Sequence, residues 1–133
     1  MNVTIGSRES IQAAFDRLSA LVREAAEAAA QVDRLKLAVL DSRQLLELRG
    51  YELMLSALKA GEDLGKNAEQ REATMAIKAV QDTESMRLTA ALAADQQALV
   101  QAELTDRLCR HERDVLRLFV QLETALYAME RKD

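Results

Sequence analysis

Proline is absent from all 133 residues. No helix here is ended or kinked by a pyrrolidine ring, so helices can run long. Cysteine occurs once, at Cys109, which excludes an intrachain disulfide and fits a reducing compartment. Tryptophan is missing and aromatics are only 3 % of the chain, fewer than a compact core of this size normally uses. No apolar run approaches the roughly 20 residues that span a bilayer. The N-terminus has no basic segment followed by an apolar run, so no signal peptide is expected. With Asn2-Val3-Thr4 lacking such a signal, glycosylation there carries no weight. A cytoplasmic setting is the expectation.

Leu, Ala, Val and Met make up most of the apolar content, and 30 % of residues are charged with alternating sign. That composition suits helix packed on helix with solvated outer faces. The length allows one domain at most. The net charge is −4 and there is no basic tail, which argues against a protein that coats nucleic acid.

Two of the four glycines fall in the break Gly61-Glu62-Asp63-Leu64-Gly65-Lys66-Asn67. Around it, nearly everything reads as helix. Residues 1 to 6 carry no helical signal; Ser7 can cap a helix, with Glu9 in its first turn. Ile11, Phe15, Leu18, Val22, Ala25, Ala29 and Val32 follow 3-4 spacing, and Val39, Leu46 and Leu53 continue that stripe. Leu37, Leu40, Leu48, Tyr51, Leu55 and Leu58 make a second stripe, and a helix apolar on two faces needs two neighbours. Gly50 lies inside this helix, either tolerated or marking a close approach. Gly61 or Gly65 ends it, and Asn67 caps the next, with Gln70 placed to complete a capping box. The second helix presents Met75, Ala76, Ala79 and Val80 on one face. Asp82-Thr83-Glu84-Ser85 supplies cap-type side chains and predicts a second corner; one uninterrupted helix from 68 to 131 is the alternative. The last helix carries its clearest seam at Leu104, Leu108, His111, Val115, Leu118, Leu122, Ala125 and Met129.

These signals predict an all-α chain: one helical domain over 1–133, with a helix over about 8–60, a corner at 61–66, a short helix over about 67–81 and a long helix over about 84–131. Two long segments of similar length around a short insert predict an elongated, coiled-coil-like antiparallel hairpin. With level ends, facing residue numbers sum to about 143. That register sets Ala25–Ala30 against Leu116–Phe119, and His111 near Val32 and Asp33. Two helices cannot bury two apolar faces each, so Leu37, Leu40, Leu48 and Leu55 predict an oligomer interface in a dimer or larger bundle.

The corner superficially resembles a P-loop but is one residue short, has Asn in place of Ser or Thr, and follows no strand. Gly65, Lys66, Asn67 and Arg71 nevertheless form a candidate anion site at a helix N-terminus; the plainer reading is a capped corner with solvated cations. Arg107, Arg110, Arg113 and Arg117 form a candidate nucleic-acid stripe. Interleaved Asp106, Glu112 and Asp114 cancel most of its charge, which favours a salt-bridged surface face. His111 is read as a packed histidine with Asp33 as its partner, since no second ligand cluster accompanies it. Cys109 lacks a base and an oxyanion hole, so it is not read as a nucleophile. No catalytic residue, metal site or cofactor is predicted.

The segment Leu64-Gly65-Lys66-Asn67-Ala68-Glu69-Gln70-Arg71-Glu72-Ala73 resembles small helical coiled-coil proteins of bacteriophages and prophages, in which a Gly-Lys-Asn corner opens a short Arg-containing helix. The resemblance covers about residues 60 to 130 and lacks the proline expected near Asp82. It implies a phage setting and host cytoplasm, without an activity. The first functional expectation is therefore a non-enzymatic interaction protein that binds itself and a host or phage protein, with inhibition of a host defence as what the phage setting implies. A sponge for an anionic nucleotide signal is the second reading, and a nucleic-acid-binding accessory protein the third. No membrane partner is expected.

Overall fold

The computed structural model describes residues 7–131. Residues 1–6 and the Asn2-Val3-Thr4 triplet lie outside that range. Three α-helices account for nearly all of it: α1 (Arg8–Lys59), α2 (Ala68–Gln81) and α3 (Thr83–Glu130). There is no strand among the described residues.

Local chemistry explains each boundary. The hydroxyl of Ser7 accepts from the Ser10 amide at 3.1 Å, and Glu9 lies in the first turn of α1, where a negative charge meets the positive helix end. At the other end the Glu62 amide donates to the Ala57 carbonyl and the Gly61 amide to that of Leu58, the paired bonds of a Schellman closure. Gly61 has φ +73°, so it is Gly61 that ends the helix. Gly65 also has positive φ, +124°, and a Cβ there would lie 2.7 Å from the Gln70 Cβ, so no other residue fits without displacement. Asn67 Oδ1 accepts from the Gln70 amide at 2.8 Å and caps α2. Gln70 reaches back one residue further than a capping box requires, accepting from the Lys66 amide at 2.8 Å.

Only Asp82 separates α2 from α3, where the sequence suggested a four-residue corner. Its backbone is extended (φ −87°, ψ 121°); its amide closes α2 on the Ala79 carbonyl and its side chain caps α3 at the Ser85 amide, 2.8 Å away. Gly50 sits mid-helix, where an added methyl would meet nothing within 4 Å, so it marks no close approach.

The chain divides into two compact units, to each of which α1 and α3 contribute. One holds the described residues up to Asp33 and from Val100 onward; the other is Arg34–Leu99. In the first unit the α1 residues Ala14, Leu21, Ala25 and Val32 are buried, with Leu18 and Ala28 half-buried between them. That is an unbroken alternation of three and four residues, the spacing of a coiled-coil seam. The two segments run antiparallel: Arg8 and Ile11 share a recess with Thr124, Tyr127 and Arg131, and Arg17 pairs with Glu112 at 3.6 Å. The same spacing continues in the second unit through Leu35, Val39, Ser42, Leu46, Arg49 and Leu53, with Ala57 and Leu64 buried near the corner.

Three expectations need correction. Phe15 and Val22 are nearly half exposed, while Ala14 and Leu21, one residue back, are buried: small Ala side chains let the helices approach, and the larger residues flank the seam. On α2, Val80 is 71 % exposed and Ala76 is exposed; Thr74, Met75, Lys78 and Ala79 are the half-buried positions. On α3 the seam from Leu104 to Met129 faces outward, with Leu118 66 % and Met129 67 % exposed. The inward positions are Asp106, Cys109, Arg113, Leu116, Val120 and Glu123. Periodicity finds stripes, and α3 carries two; the inward one is hidden by its charged members.

The register differs too. Ser42 donates to Asp95 at 2.7 Å, whereas level ends would set it against residue 101. Leu116 and Phe119 line a groove with Arg17 and Leu21, not with Ala25–Ala30. The cause is α2: α3 starts beside Arg49, about ten residues short of the end of α1, so the long helices cannot be level.

Candidate functional site

At the α2 corner the protein itself engages several of the amides near the helix end. The Gly65 amide donates to Asp63 Oδ1 at 3.0 Å, that of Lys66 to Gln70 Oε1, that of Gln70 to Asn67 Oδ1, and that of Arg71 to the Asn67 carbonyl. Lys66, Asn67 and Arg71 are exposed and Gly65 is half-buried. A phosphate bound through the Gly65, Lys66 or Gln70 amide would have to displace the side-chain acceptor already there.

Arg107, Arg110, Arg113 and Arg117 do not share one open face. Arg110 is ion-paired with Asp106 on its own helix, and Arg113 is half-buried on the inner side and contacts Asp114 at 3.4 Å. Arg107 and Arg117 are exposed. His111 is exposed in the first unit beside Arg17, Leu21 and Glu112, away from Val32 and Asp33. Cys109 is half-buried on the inner face. Among the described residues no group of three or more His, Cys, Asp or Glu is placed to hold a metal ion. No helix among them is long and apolar enough to cross a membrane.

Within the second unit the polar chemistry converges on Asp82. Arg49 donates to it through Nε at 2.9 Å and a terminal nitrogen at 2.8 Å, a two-pronged pair, while the Ser85 amide and hydroxyl both donate at 2.8 Å. The Arg49 guanidinium, then Ser85, hold the Asp82 carboxyl well below the usual carboxylate range, and Asp82 raises Arg49 in return. Glu84 is likewise lowered, chiefly by its hydrogen bonds from Arg87. A shallow recess of about 290 Å³ lies beside this clamp, bordered by Leu53, Ala57, Asp82 and the Lys78–Glu62 ion pair. The cap cluster at Asp82–Ser85 was readable in the sequence; nothing there marked Arg49, Ser42 or Asp95 as partners.

Outside that clamp the dominant feature is exposed apolar surface. In the second unit Leu37 is 62 % exposed, and Leu40, Leu48, Tyr51, Leu55 and Leu58 are each about half exposed. In the first, Leu104, Leu108, Val115, Leu118, Leu122 and Met129 are exposed along α3, beside an open groove of about 530 Å³ lined by Leu21, Val115, Leu116 and Phe119. The chain exposes 9,903 Å², against about 7,000 Å² for a folded monomer of this mass. No protein-family model matches the chain, and comparison with curated proteins and with solved structures finds no significant match.

Proposed function

We propose that this chain is a non-enzymatic, oligomeric helical interaction protein. Its long helices form an antiparallel, coiled-coil-like hairpin, and its outer apolar faces bind copies of itself and another protein. The observation that carries this reading is the row Leu37, Leu40, Leu48 and Leu55, exposed on a regular helix. Burying one leucine side chain is worth about 1.5 to 3 kcal/mol, so an uncovered row is a large unmet driving force. Surface beyond the monomer expectation, close to 3,000 Å², exceeds the roughly 800 Å² per partner of a standard interface. The resemblance of Leu64–Ala73 to phage helical proteins makes a host or phage protein the partner class, and inhibition of a host defence the purpose. The nucleotide reading is weaker at the corner, where side chains engage the Gly65, Lys66 and Gln70 amides.

Sedimentation of the full chain, wild type against Leu40→Glu with Leu48→Glu, tests the oligomer. The wild type is expected to sediment as a dimer or larger, the variant as a smaller species with unchanged helicity. A monomeric wild type at micromolar concentration removes the reading. Co-purification from the natural host, with mass spectrometry of proteins and small molecules, then identifies what the surface holds.

A further inference from the structure

The outward stripe of α3 has a composition that selects its occupant. Leu104, Leu108, His111, Val115, Leu118, Leu122, Ala125 and Met129 alternate strictly by four and three residues, and every one is exposed. They span 26 positions, close to four heptads, which is the length at which a heptad pattern signifies a coiled coil. Leu108, Val115, Leu122 and Met129 stand at a positions, and Leu104, His111, Leu118 and Ala125 at d positions. The flanking positions then follow. Arg107 and Asp114 are g positions and Glu112 is the e position five residues after Arg107; all three are exposed, and Glu112 also pairs with Arg17 of its own chain at 3.6 Å.

We infer that this stripe is a parallel, in-register coiled-coil interface with a second copy of the same chain. Charge decides the orientation. In a parallel pair each g position meets the e position five residues later on the other helix, so Arg107 meets Glu112 of the second copy, twice by symmetry. With an antiparallel copy overlapping the stripe fully, Arg107 falls beside Ala128 and Glu112 beside Phe119, and neither charge is matched. Of the other e positions Thr105 is polar, while Phe119 and Leu126 are apolar; Phe119, which meets Asp114 of the second copy, widens the contact toward the groove it lines with Leu21. His111 faces itself in the parallel pair, a single polar layer of the kind that fixes register. The inference rests on reading the chain as an interaction protein but uses a different face from Leu37–Leu55.

Cysteine trapping in the full chain tests it. In a Cys109→Ala background, Leu104→Cys should form a disulfide-linked homodimer under mild oxidation at micromolar concentration, and so should Met129→Cys. Both positions are exposed, so helicity should be unchanged. An equimolar mixture of the two variants should give almost no mixed disulfide. Predominance of the mixed species, or no cross-link in either variant, overturns the parallel pair. Glu112→Arg should raise the dimer dissociation constant about tenfold, and Arg107→Glu with Glu112→Arg should restore it. An unchanged constant in Glu112→Arg counts against the assignment. Adding Leu40→Glu and Leu48→Glu to Leu104→Cys keeps the two readings separable. A retained cross-link supports the α3 pair even where the Leu37–Leu55 face fails. An oligomer that survives without the Leu104→Cys cross-link leaves that face standing and removes this one.

Discussion

Asp95 in one unit and Asp106 in the other occupy the same inner face of α3, and the two units handle them differently. Asp95 is half-buried and accepts from Ser42 across the helix pair. Asp106 is 5 % exposed, its cation comes from Arg110 on its own helix, and its Oδ1 has no hydrogen-bond partner. The Arg34–Leu99 unit is therefore held in register by cross-helix polar pairs, Ser42–Asp95 and Arg49–Asp82. The other unit has one exposed cross-helix pair, Arg17–Glu112, beside the apolar seam of α1, and carries polar groups at Asp106 and Glu123, the latter 0 % exposed. Polar pairs specify alignment, whereas an apolar seam supplies affinity with less discrimination between neighbouring registers.

The comparison breaks first at Leu21, 2 % exposed in the apolar-seam unit. Leu21→Ala should cost about 2 to 4 kcal/mol in urea unfolding, against clearly less for half-buried Leu46→Ala. Equal losses would show that both units depend alike on apolar packing. Next is Asp106→Leu, which replaces an incompletely bonded buried carboxylate and should stabilise by about 1 to 2 kcal/mol. Asp95→Leu should destabilise, because Ser42 loses its acceptor. Thermal melts of the pair read the sign, and a destabilised Asp106→Leu would mean that its carboxylate is better satisfied than its geometry indicates. Asn67→Ala should lose about 1 kcal/mol through the missing cap of α2, with exchange accelerated locally at the Gln70 amide. Gly50→Ala should gain about 0.5 to 1 kcal/mol, since the methyl meets nothing within 4 Å in a helix interior.

The smallest effect is expected from acid. Asp82 is held below the ordinary carboxylate range by Arg49, so it binds a proton less readily folded than unfolded. Its contribution is complete above about pH 4, the unfolded value, and is lost progressively as the pH falls below it. Both side chains retain solvent contact, which screens the pair. Hydrogen-exchange protection around Arg49 and Ser85, taken relative to the intrinsic rate at each pH, should fall between about pH 4 and about pH 2, and Asp82→Asn should flatten that dependence.

Helix ends were legible because small, specific chemistry writes them: Ser7, Gly61 and Asn67 each act within four residues of their own position. Which face of α3 turns inward was not legible. Leu104–Met129 is the more apolar stripe, yet the buried residues there are Asp106, Val120 and Glu123, two of them charged, and that choice depends on where α1 lies rather than on α3 alone. Register was hidden for a related reason. Arg49 and Asp82 are ordinary surface residue types in sequence, and only their distant pairing fixes where α3 begins. The corner showed its glycines and cap in the sequence, but not that Asp63 and Gln70 would engage the Gly65 and Lys66 amides.

Asp82 is the only residue between α2 and α3, and its extended backbone is what keeps them apart. Rotating that one residue into helical geometry fuses Ala68–Glu130 into a single rod. Fusion would lay α2, 14 residues and about 20 Å long, along the line of α3 and pull Lys78 from Glu62. Arg49 and Ser85, which hold the Asp82 side chain, therefore also hold the boundary between the two helices.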